Sequence, residues 1–505
     1  MRSKFYESIT PLKTLIIMLV LIFSLFNCES QNKLISRQDV LGMHNDPGQL
    51  FIEAVRSESK EDRLSIIRDI FSSESLKDPG EERLLSLFEG LKKTLGETEY
   101  HSSEITETQL GDGTIRSIMH IFTAAKGSKM WNDIQLQLDP KEKGKILKLV
   151  FIAEVTEPVY LPNGAIEQQQ TIEWLNKYFE KLQNENSFYG SIIITKGDKI
   201  LLEKYAGYSN PVKNYNLDAN TLINMASGGK MFTAIAIAQL VEKGLLKYSD
   251  KISGFFPGFE DKEKLNKITV HHLLTHTSGI AEYWNESNRN IISNLSSPSE
   301  YLPLIYKEGF LFEPESEFGY SNSNYILLGL IIEEITGLTF YEYVKNYILS
   351  PAGMNSTDYY FHGTDERPLA IPLEKSTDGW KEIYTTKSNS RGTSAGGCYT
   401  TLYDMIKFSS ALKNNVLVSH KELDNMTRDK VYGLKDAIGY GYGFEISKYG
   451  KNGLSFGHGG ISRGVNFEYR YFPEFDITFV ISCNQDNGAF DDLKRNSVKL
   501  ITGDR

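Results

Sequence analysis

The sequence predicts an α+β fold in two parts. Residues 166–505 are expected to form an antiparallel sheet from both ends of the segment, with a helical region between them, and a small α+β domain precedes it. Three observations predict this division. Strand-like runs open and close the later part, helical periodicity fills its middle, and a separate block of helices followed by strands lies upstream. A chain of 505 residues also exceeds the size of one hydrophobic core.

The composition indicates a folded protein that has no nucleic-acid partner. Apolar residues make up 40% and charged residues 24%, which is typical of globular domains. The net charge is −10, and lysine and arginine are interspersed with acidic residues, so no basic stripe for a phosphate backbone is expected. The three cysteines are too few for a disulfide framework or a zinc knuckle, and at most one bridge is expected.

Residues 1–28 have the pattern of an export signal. Basic residues precede the apolar run 15–26, which is too short to span a bilayer but suits a signal peptide. The run leads into Leu-Phe-Asn-Cys at Cys28, which resembles the lipobox of bacterial lipoproteins, although lipoboxes favour a smaller residue than Asn27. The resemblance implies lipidation of Cys28 and a lipid anchor on the bacterial cell envelope. A plain secretory signal or an uncleaved anchor is the alternative.

The segment 29–45 is polar and aperiodic and is expected to be a tether, and the small α+β domain then covers 46–157. Three stripes of helical period, near residues 50–55, 64–71 and 84–91, precede three strand-like runs at 115–122, 132–138 and 146–155. This order resembles the cone-shaped accessory domains of nuclear-transport-factor-like fold. No residue in it suggests chemistry. The segment 156–165, with Pro158, Pro162 and Gly164, is expected to be the interdomain linker.

The domain 166–505 begins with a helix near 171–183 and a hairpin of strands 191–195 and 199–205. Two further strands, 465–472 and 477–483, lie near its end. Strands from both ends of one domain are expected to join in a single antiparallel sheet, which leaves the helical residues between them as an insertion.

Ser227 and Lys230 are the strongest candidates for chemistry. Lys230 begins the run 230–243, which is apolar on almost every side and therefore predicts a buried helix. Backbone N–H groups and the positive end of the dipole would favour a developing anion on Ser227. Lys230, three positions on, lies on the same face. A buried lysine whose pKa falls towards ~7–8 can act as the base that a serine nucleophile needs.

The spacing Ser-x-x-Lys decides little by itself, because it occurs at three further places in this chain. These are Ser30 with Lys33, Ser57 with Lys60, and Ser410 with Lys413. None of them begins a long buried helix, so we expect a tether segment and two solvated helix faces there. For Ser227 the alternative is a helix N-cap serine that has no chemical role.

Five stretches, taken in order, carry a family resemblance. These stretches are Asn-Met-Ala-Ser-Gly-Gly-Lys at 224–230, Ile-Thr-Val-His-His-Leu-Leu-Thr-His-Thr-Ser-Gly at 268–279, Tyr-Ser-Asn at 320–322, Ser-Ala-Gly-Gly at 394–397 and His-Gly-Gly at 458–460. Through them the chain resembles class C β-lactamases, D,D-peptidases and esterase-like penicillin-binding proteins over about residues 170–500. The resemblance implies a β-lactamase/transpeptidase-like fold.

The resemblance implies roles for several residues. Tyr320 would relay a proton near the nucleophile, and Asn322 would orient Lys230 and the substrate. Gly460 would contribute to substrate binding, and the backbone N–H groups of Ser227 and Ile461 would form the oxyanion hole. The alternative for Tyr320 is a packing tyrosine. Two other Tyr-x-Asn triplets, at 208–210 and 283–285, are expected to carry surface aromatics.

His458 stands where the β-lactamase pattern has lysine, and its relatives with His-x-Gly include esterases and D-amino-acid peptidases. An imidazole of pKa near 6.5 supplies a cation only part of the time, so we expect a substrate that has no obligatory carboxylate. Arg463 is expected either to reach an anionic substrate group or to form a surface ion pair.

Other kinds of site are disfavoured. His272 and His276 have the i, i+4 spacing of zinc ligands, but the zincin glutamate is absent. The segment 228–230 lacks the remaining residues of a phosphate-binding P-loop.

The sequence therefore predicts a serine hydrolase that cleaves a small-molecule or peptide ester or amide through an acyl-enzyme on Ser227. It resembles esterases and D-amino-acid peptidases, and no metal or cofactor is expected. The alternatives are a non-catalytic binding protein of the cell envelope and a true β-lactamase.

Overall fold

A computed structural model describes residues 46–503 of the chain. Its gaps are at 110–114, 126–130, 156–167, 212, 293, 296, 361–367, 377–378, 384–390, 435–438, 450–452 and 487. The predicted signal segment with Cys28, the tether 29–45 and the linker 156–165 lie outside the described residues. None of the helices within these described ranges is long and apolar enough to cross a bilayer.

The chain divides into two compact units, and the described part of the first covers residues 46–106 and 117–153. In it, helices pack on one face of a four-stranded sheet of order β1-β2-β3-β4, in which β2 and β3 pair antiparallel. The helices are α1 (Pro47–Arg56), α2 (Lys60–Ile70) and α3 (Glu81–Leu95), with helical turns at Ser73–Ser75 and Leu76–Gly80. The strands are β1 (Thr98–Gln109), β2 (Ile115–Ala125), β3 (Trp131–Leu138) and β4 (Ile146–Val155).

Strand β1 is the element that the sequence analysis missed, since only three strands were predicted in this unit. Among its described side chains, those of Thr98 and Ile105 are buried, and most of its residues are polar. The period-2 hydrophobic signal is therefore too weak to be recognised without the neighbouring strand β2.

The second unit contains a six-stranded antiparallel sheet that joins strands from both of its ends. The sheet order is β7-β8-β9-β10-β5-β6. Its strands are β5 (Gly190–Lys196), β6 (Lys199–Ala206), β7 (Glu445–Tyr449), β8 (Gly453–Ser462), β9 (Val465–Phe472) and β10 (Ile477–Cys483). Ile481 of β10 pairs with Ile192 of β5, so the end of the domain is hydrogen-bonded to its beginning. The predicted closure of the sheet is confirmed, whereas strands β7 and β8 were not predicted.

Apolar residues on both faces explain why this sheet lies in the middle of the unit. Helices α4 (Gln168–Asn184) and α8 (Ala489–Thr502) cover one face, where Ile192 and Ile481 are fully buried. The helical region covers the other face, where Ile193 and Val480 are fully buried. Alternate residues of one strand thus contribute to two different cores.

The helical region is built around two almost entirely apolar helices, α5 (Lys230–Glu242) and α6 (Asn322–Thr336), with α7 (Leu402–Lys413) near the sheet. Its shorter α-helices are Lys262–Leu265, Val270–Leu274, Arg289–Ile292, Leu302–Glu308, Phe340–Val344 and His420–Met426. Single helical turns lie at Ala226–Gly229, Ile252–Gly254, Glu286–Asn288, Pro298–Tyr301 and Lys345–Leu349. Short strands lie at Tyr208–Asn210, Tyr215–Asn216, Ile223–Asn224, Leu373–Ser376, Gly379–Glu382 and Tyr399–Thr400.

Candidate active site

Ser227 lies in the turn Ala226–Gly229 immediately before α5. The N-cap of α5 is Gly229, and no side chain caps the helix. The N-cap alternative for Ser227 is therefore wrong, and its hydroxyl oxygen instead lies 3.2 Å from Lys230 Nζ. The predicted buried helix is confirmed, since every side chain from Lys230 to Leu240 is buried.

The residue before the nucleophile has a strained backbone. Ala226 has φ 42°, in the left-handed region that residues other than glycine rarely adopt. Its N–H donates to Asn224 Oδ1 at 2.8 Å, and its carbonyl accepts from the Gly397 N–H at 2.8 Å. A Cβ at Gly396 would lie 2.2 Å from the Ala226 carbonyl oxygen. Gly396 and Gly397 are therefore needed, because the stretch 394–397 packs directly on the turn Ala226–Gly229.

Lys230 is fully buried, and its Nζ has three close oxygen neighbours. These are Ala395 O at 2.6 Å, Asn322 Oδ1 at 2.7 Å and Ser227 Oγ at 3.2 Å. Burial lowers the lysine pKa to about 7, against the opposing effects of Glu282 and Glu445. The expectation of a depressed lysine pKa agrees with this value.

These three neighbours differ in what they can offer a neutral amine. The Ala395 carbonyl and the Asn322 amide oxygen only accept hydrogen bonds, so they take the two N–H groups of the amine. Of the three neighbours, only the Ser227 hydroxyl can donate. The lone pair of Lys230 is therefore left for the Ser227 proton, which is the arrangement that a general base requires.

Tyr320 is buried beside this pair. Its ring stacks on His276, with centroids 4.1 Å apart, and Lys230 Nζ lies 4.9 Å from its centroid. Its hydroxyl makes no well-aligned hydrogen bond with a described residue. Burial raises the pKa of this phenol far above 10, while its contact with Ser227 acts in the opposite direction. The phenol is therefore a proton donor in its resting state and faces the nucleophile.

His458, on β8, is buried with both ring nitrogens engaged. Nδ1 lies 2.5 Å from the Gly459 carbonyl, which can only accept, so Nδ1 carries the proton. Nε2 then accepts from the Tyr440 hydroxyl at 3.0 Å. Burial, and secondarily the charge of Lys230, lowers the pKa of His458 to about 3. The expectation that this imidazole is charged part of the time is wrong, because burial opposes its protonation.

Because Gly460 has no side chain, β8 packs closely on the turn Ala226–Gly229. A Cβ at this position would lie 2.1 Å from Met225 O and 2.9 Å from the Ser227 nitrogen. Ile461 follows on the same strand, and its side chain is 45% exposed. The backbone of Ser227 and the β8 segment that carries Ile461 thus lie side by side, as the predicted oxyanion hole requires.

Arg463 does not belong to this group. Its side chain is 66% exposed and forms an ion pair with Glu374, which agrees with the surface alternative. Among the other Ser-x-x-Lys pairs, Ser57 follows the end of α1, and Lys413 binds Asp476 Oδ1 at 2.8 Å. Ser410 and Lys413 are half-buried on α7, so the expectation of a solvated helix face is wrong there. The pair Ser30 and Lys33 lies outside the described residues.

The other Tyr-x-Asn triplets are not all on the surface. Tyr283 is buried and packs its ring 4.9 Å from that of Tyr301, so the expectation of a surface aromatic is wrong there. Tyr208 is half-buried, with its ring 5.8 Å from that of Tyr189. Both tyrosines pack against hydrophobic core residues, which the triplet alone does not reveal.

The two histidines of the zinc alternative have separate roles. His276 is buried under Tyr320, and its Nδ1 accepts from the Ser321 N–H at 3.1 Å. His272 lies nearer to His271 and Glu315, whose ligand atoms come within 4.8 Å of one another. However, Nδ1 of His272 accepts from the Thr269 N–H at 3.1 Å, so a neutral ring carries its proton on Nε2. The nitrogen that faces Glu315 therefore has no lone pair for a metal.

Three residues of the candidate active site were not predicted from the sequence, namely Glu282, Ala395 and Tyr440. Glu282 binds Asn322, Ala395 supplies a backbone oxygen to Lys230, and Tyr440 binds His458. The stretch 394–397 was a signal for Ala395. No pattern in the sequence distinguishes Glu282 or Tyr440 from the other acidic and aromatic residues.

Comparison with known proteins agrees with the geometry. The family model described as Beta-lactamase matches residues 175–503, which is more than half of the chain. Penicillin-binding protein 4* of Bacillus subtilis is 28% identical over 312 residues, which cover 58% of this chain and 67% of the relative.

Solved structures show the same fold. The penicillin-binding protein of Bacillus halodurans has a TM-score of 0.57 and 30% identity, over 64% of this chain and 99% of that one. The D-amino acid amidase of Ochrobactrum anthropi SV3 has a TM-score of 0.55 and 21% identity, over 65% of this chain and 99% of that one. The chain therefore belongs to the beta-lactamase family and is a serine hydrolase of that family.

Proposed function

We propose that the protein cleaves a neutral ester or amide through an acyl-enzyme on Ser227, with Lys230 as the base. One observation carries the proposal. Lys230 Nζ is held by two oxygens that only accept hydrogen bonds, and the Ser227 hydroxyl is its third oxygen neighbour. A buried amine whose pKa is about 7 and that faces a serine hydroxyl has both the geometry and the basicity for this role.

The reaction follows from the positions of these groups. The Ser227 proton moves to Lys230 as Oγ attacks the substrate carbonyl, and the carbonyl oxygen becomes an oxyanion between the N–H groups of Ser227 and Ile461. Tyr320, with Lys230 behind it, delivers a proton to the leaving alcohol or amine as the carbonyl re-forms. Water then attacks the acyl-enzyme and loses a proton to the same groups. This step releases the acid and restores the Ser227 hydroxyl.

The charges around the site favour substrates without a carboxylate. His458 is neutral and hydrogen-bonded to Tyr440, and Arg463 is paired with Glu374, so neither supplies a cation to the substrate. Glu282 and Glu445 instead place negative charge near Lys230. Esters and amides with a neutral acyl group therefore fit better than β-lactams, whose carboxylate needs a positive partner. The fold shared with a D-amino acid amidase is consistent with an amide substrate.

The decisive experiment is labelling with a fluorophosphonate probe, followed by mapping of the adduct by mass spectrometry. We expect an adduct on Ser227 in the wild type and none in Ser227→Ala. Ser410→Ala is the matched control, since Ser410 has the same Ser-x-x-Lys spacing and is half-buried on α7, where Lys413 binds Asp476. An unlabelled wild type would contradict the proposal and favour a binding protein that retains the pocket.

A substrate panel then ranks the activities. We expect p-nitrophenyl esters and D-amino-acid amides to be cleaved faster than a chromogenic cephalosporin or a D-alanyl peptide that ends in a free carboxylate. The reverse order would favour the second candidate, a true β-lactamase, and would show that a cation outside His458 and Arg463 binds the carboxylate.

We also propose that Cys28 is lipidated and holds the enzyme on the bacterial cell envelope. The basic and apolar pattern of residues 1–28 supports this localisation. Labelled palmitate should be incorporated into the wild type and not into Cys28→Ala, which should also leave the membrane fraction. Unchanged labelling and fractionation in the variant would contradict lipidation.

A further inference from the structure

Glu282 lies beside the catalytic pair but takes no part in the reaction described above. It follows the stretch 268–279, and its carboxylate accepts hydrogen bonds from three N–H groups. Oε2 accepts from the Asn322 backbone N–H at 2.7 Å and from Asn322 Nδ2 at 2.9 Å, and Oε1 accepts from the Trp284 N–H at 2.9 Å. One carboxylate therefore binds both the backbone N–H and the side-chain amide of Asn322.

This contact decides which way the Asn322 amide points. Burial raises the pKa of the Glu282 carboxyl, but the three N–H donors act in the opposite direction and favour its ionised form. An ionised carboxylate only accepts hydrogen bonds, so the amide NH₂ must face Glu282 and the amide oxygen must face Lys230. With the amide reversed, its NH₂ would face Lys230 Nζ and could receive no N–H from it. The lysine lone pair would then no longer be reserved for Ser227.

Glu282 also acts on Lys230 through its charge. The groups that face Lys230 are Glu282, Glu445, the rings of Tyr320 and Tyr325, and the buried histidines His276 and His458. Of the two carboxylates, Glu445 is already paired with Arg470 at 2.7 Å. Glu282 is held by N–H groups on Asn322 and Trp284, and of the two carboxylates it has the larger effect on the lysine.

We propose that Glu282 is a positioning residue of the active site, which orients Asn322 so that Lys230 faces Ser227 and provides the counter-charge when Lys230 takes the serine proton. This inference rests on the proposed function. Its consequence is that Glu282 acts through Asn322 and Lys230, without touching the substrate.

The test is Glu282→Gln, compared with the wild type and with Glu333→Gln. Glu333 is a matched control, because it accepts a backbone N–H, that of Phe340, at 2.8 Å near the far end of α6. We expect kcat to fall by about 10²-fold in Glu282→Gln, since general acid–base catalysis contributes about 10²–10⁴-fold. Glu333→Gln should retain wild-type kcat.

The pH profile separates this role from a structural one. Loss of a negative charge beside Lys230 lowers the lysine pKa, so the acid limb of kcat/KM should move to lower pH in Glu282→Gln. A residue that only supports the fold would lower the rate without moving the limb. Glu282→Asp keeps the charge on a shorter side chain, so we expect it to retain the position of the limb while kcat stays low.

A titration of Lys230 gives a readout that does not depend on turnover. The protein is labelled with [ε-¹³C]lysine, and Lys230→Met identifies the Lys230 signal. The apparent pKa of that signal should fall in Glu282→Gln and remain near the wild-type value in Glu282→Asp and Glu333→Gln. An unchanged titration together with an unmoved acid limb in Glu282→Gln would overturn the inference. Failure of the proposed function would instead appear in the wild type, as absence of an adduct on Ser227.

Discussion

Lys230 Nζ lies 2.7 Å from Asn322 Oδ1, although 92 positions separate the two residues in the chain. Lys230 is the first residue of α5, and Asn322 is the first residue of α6. A side-chain hydrogen bond thus joins the first residues of two helices, and the same Lys230 amine contacts Ser227. The positive ends of these helices disfavour a charged lysine and favour a negative serine oxygen, which is the charge distribution that forms when the nucleophile attacks.

The activity should have an acid limb near pH 7. Lys230 must be neutral to accept the Ser227 proton, and its pKa is lowered to about 7, so kcat/KM should fall as the pH drops below 7. A pH series of ester hydrolysis measures this limb. Lys230→Arg keeps a permanent cation and should lose about 10²–10⁴-fold of activity at every pH. A limb near pH 4 would contradict the role of Lys230.

The buried lysine should also give the fold a pH dependence. In the unfolded chain Lys230 titrates near 10.5, whereas in the folded protein it titrates near 7, so the unfolded state binds more protons between these values. The stability of the wild type relative to Lys230→Met should therefore rise with pH from 7 to 10, by at most about 1.4 kcal/mol per pH unit. Denaturant unfolding of both proteins at several pH values checks the slope. A relative stability that is constant over this range would contradict the depressed pKa.

Gly460→Ala should block the oxyanion hole. Its Cβ would lie 2.9 Å from the Ser227 nitrogen and 2.1 Å from Met225 O, so β8 must move away from the nucleophile turn. Loss of one oxyanion donor costs about 10²–10³-fold in kcat. Gly254→Ala is the control, because a Cβ there meets no atom within 4 Å. Kinetics of the two variants against an ester substrate give the comparison, and wild-type kcat in Gly460→Ala would contradict the assignment of the hole.

The fold should lose stability in acid partly because of His458. Its pKa is about 3 in the folded protein and near 6.5 in the unfolded chain, so below pH 6.5 the unfolded state gains a proton that the native state resists. Stability should therefore fall as the pH drops from 6.5 towards 3. His458→Asn should have a shallower slope in thermal unfolding at pH 6.5, 5.5 and 4.5. Equal slopes in the two proteins would indicate that His458 does not titrate with unfolding.

Arg463→Ala should change the activity by less than about twofold, because the guanidinium is exposed and paired with Glu374. Steady-state kinetics with neutral and carboxylate-bearing esters measure the effect. A selective loss of activity against the carboxylate-bearing ester would show that Arg463 leaves Glu374 to bind substrate.

The sequence predicted the buried helix α5 and four of the six strands of the large sheet because these segments have local periodic or apolar signals, whereas β7 and β8 were not predicted. Ile192 and Ile481 lie in short apolar runs, and the residues of α5 are apolar on every side. Strand β1 was missed because few of its described side chains are buried, so its pairing with β2 defines it more than its own pattern does. The periodic hydrophobic patterns that predict a strand or a helix involve only residues within about ten positions of one another.

The residues of the candidate active site likewise differ in how far the sequence predicts them. Ser227 and Lys230 are recognisable from sequence because one helical turn separates them, and the ordered stretches distinguish them from three other pairs of equal spacing. The chemical state of His458 was not predictable, since it depends on Tyr440 and on burial that follows from packing of distant segments. Glu282 had no signal at all, because its role consists of contacts with Asn322 across 40 positions.

The sequence by itself thus determined the α+β architecture and selected Ser227 and Lys230 as the candidate nucleophile and base, since these depend on residue type and on helical or strand period. Only the tertiary structure decided that Lys230 is held by Ala395 and Asn322, and that His458 is neutral. The physical reason is that a pKa depends on desolvation and on neighbouring charges, and a hydrogen bond depends on distances between atoms that the chain brings together only when it folds.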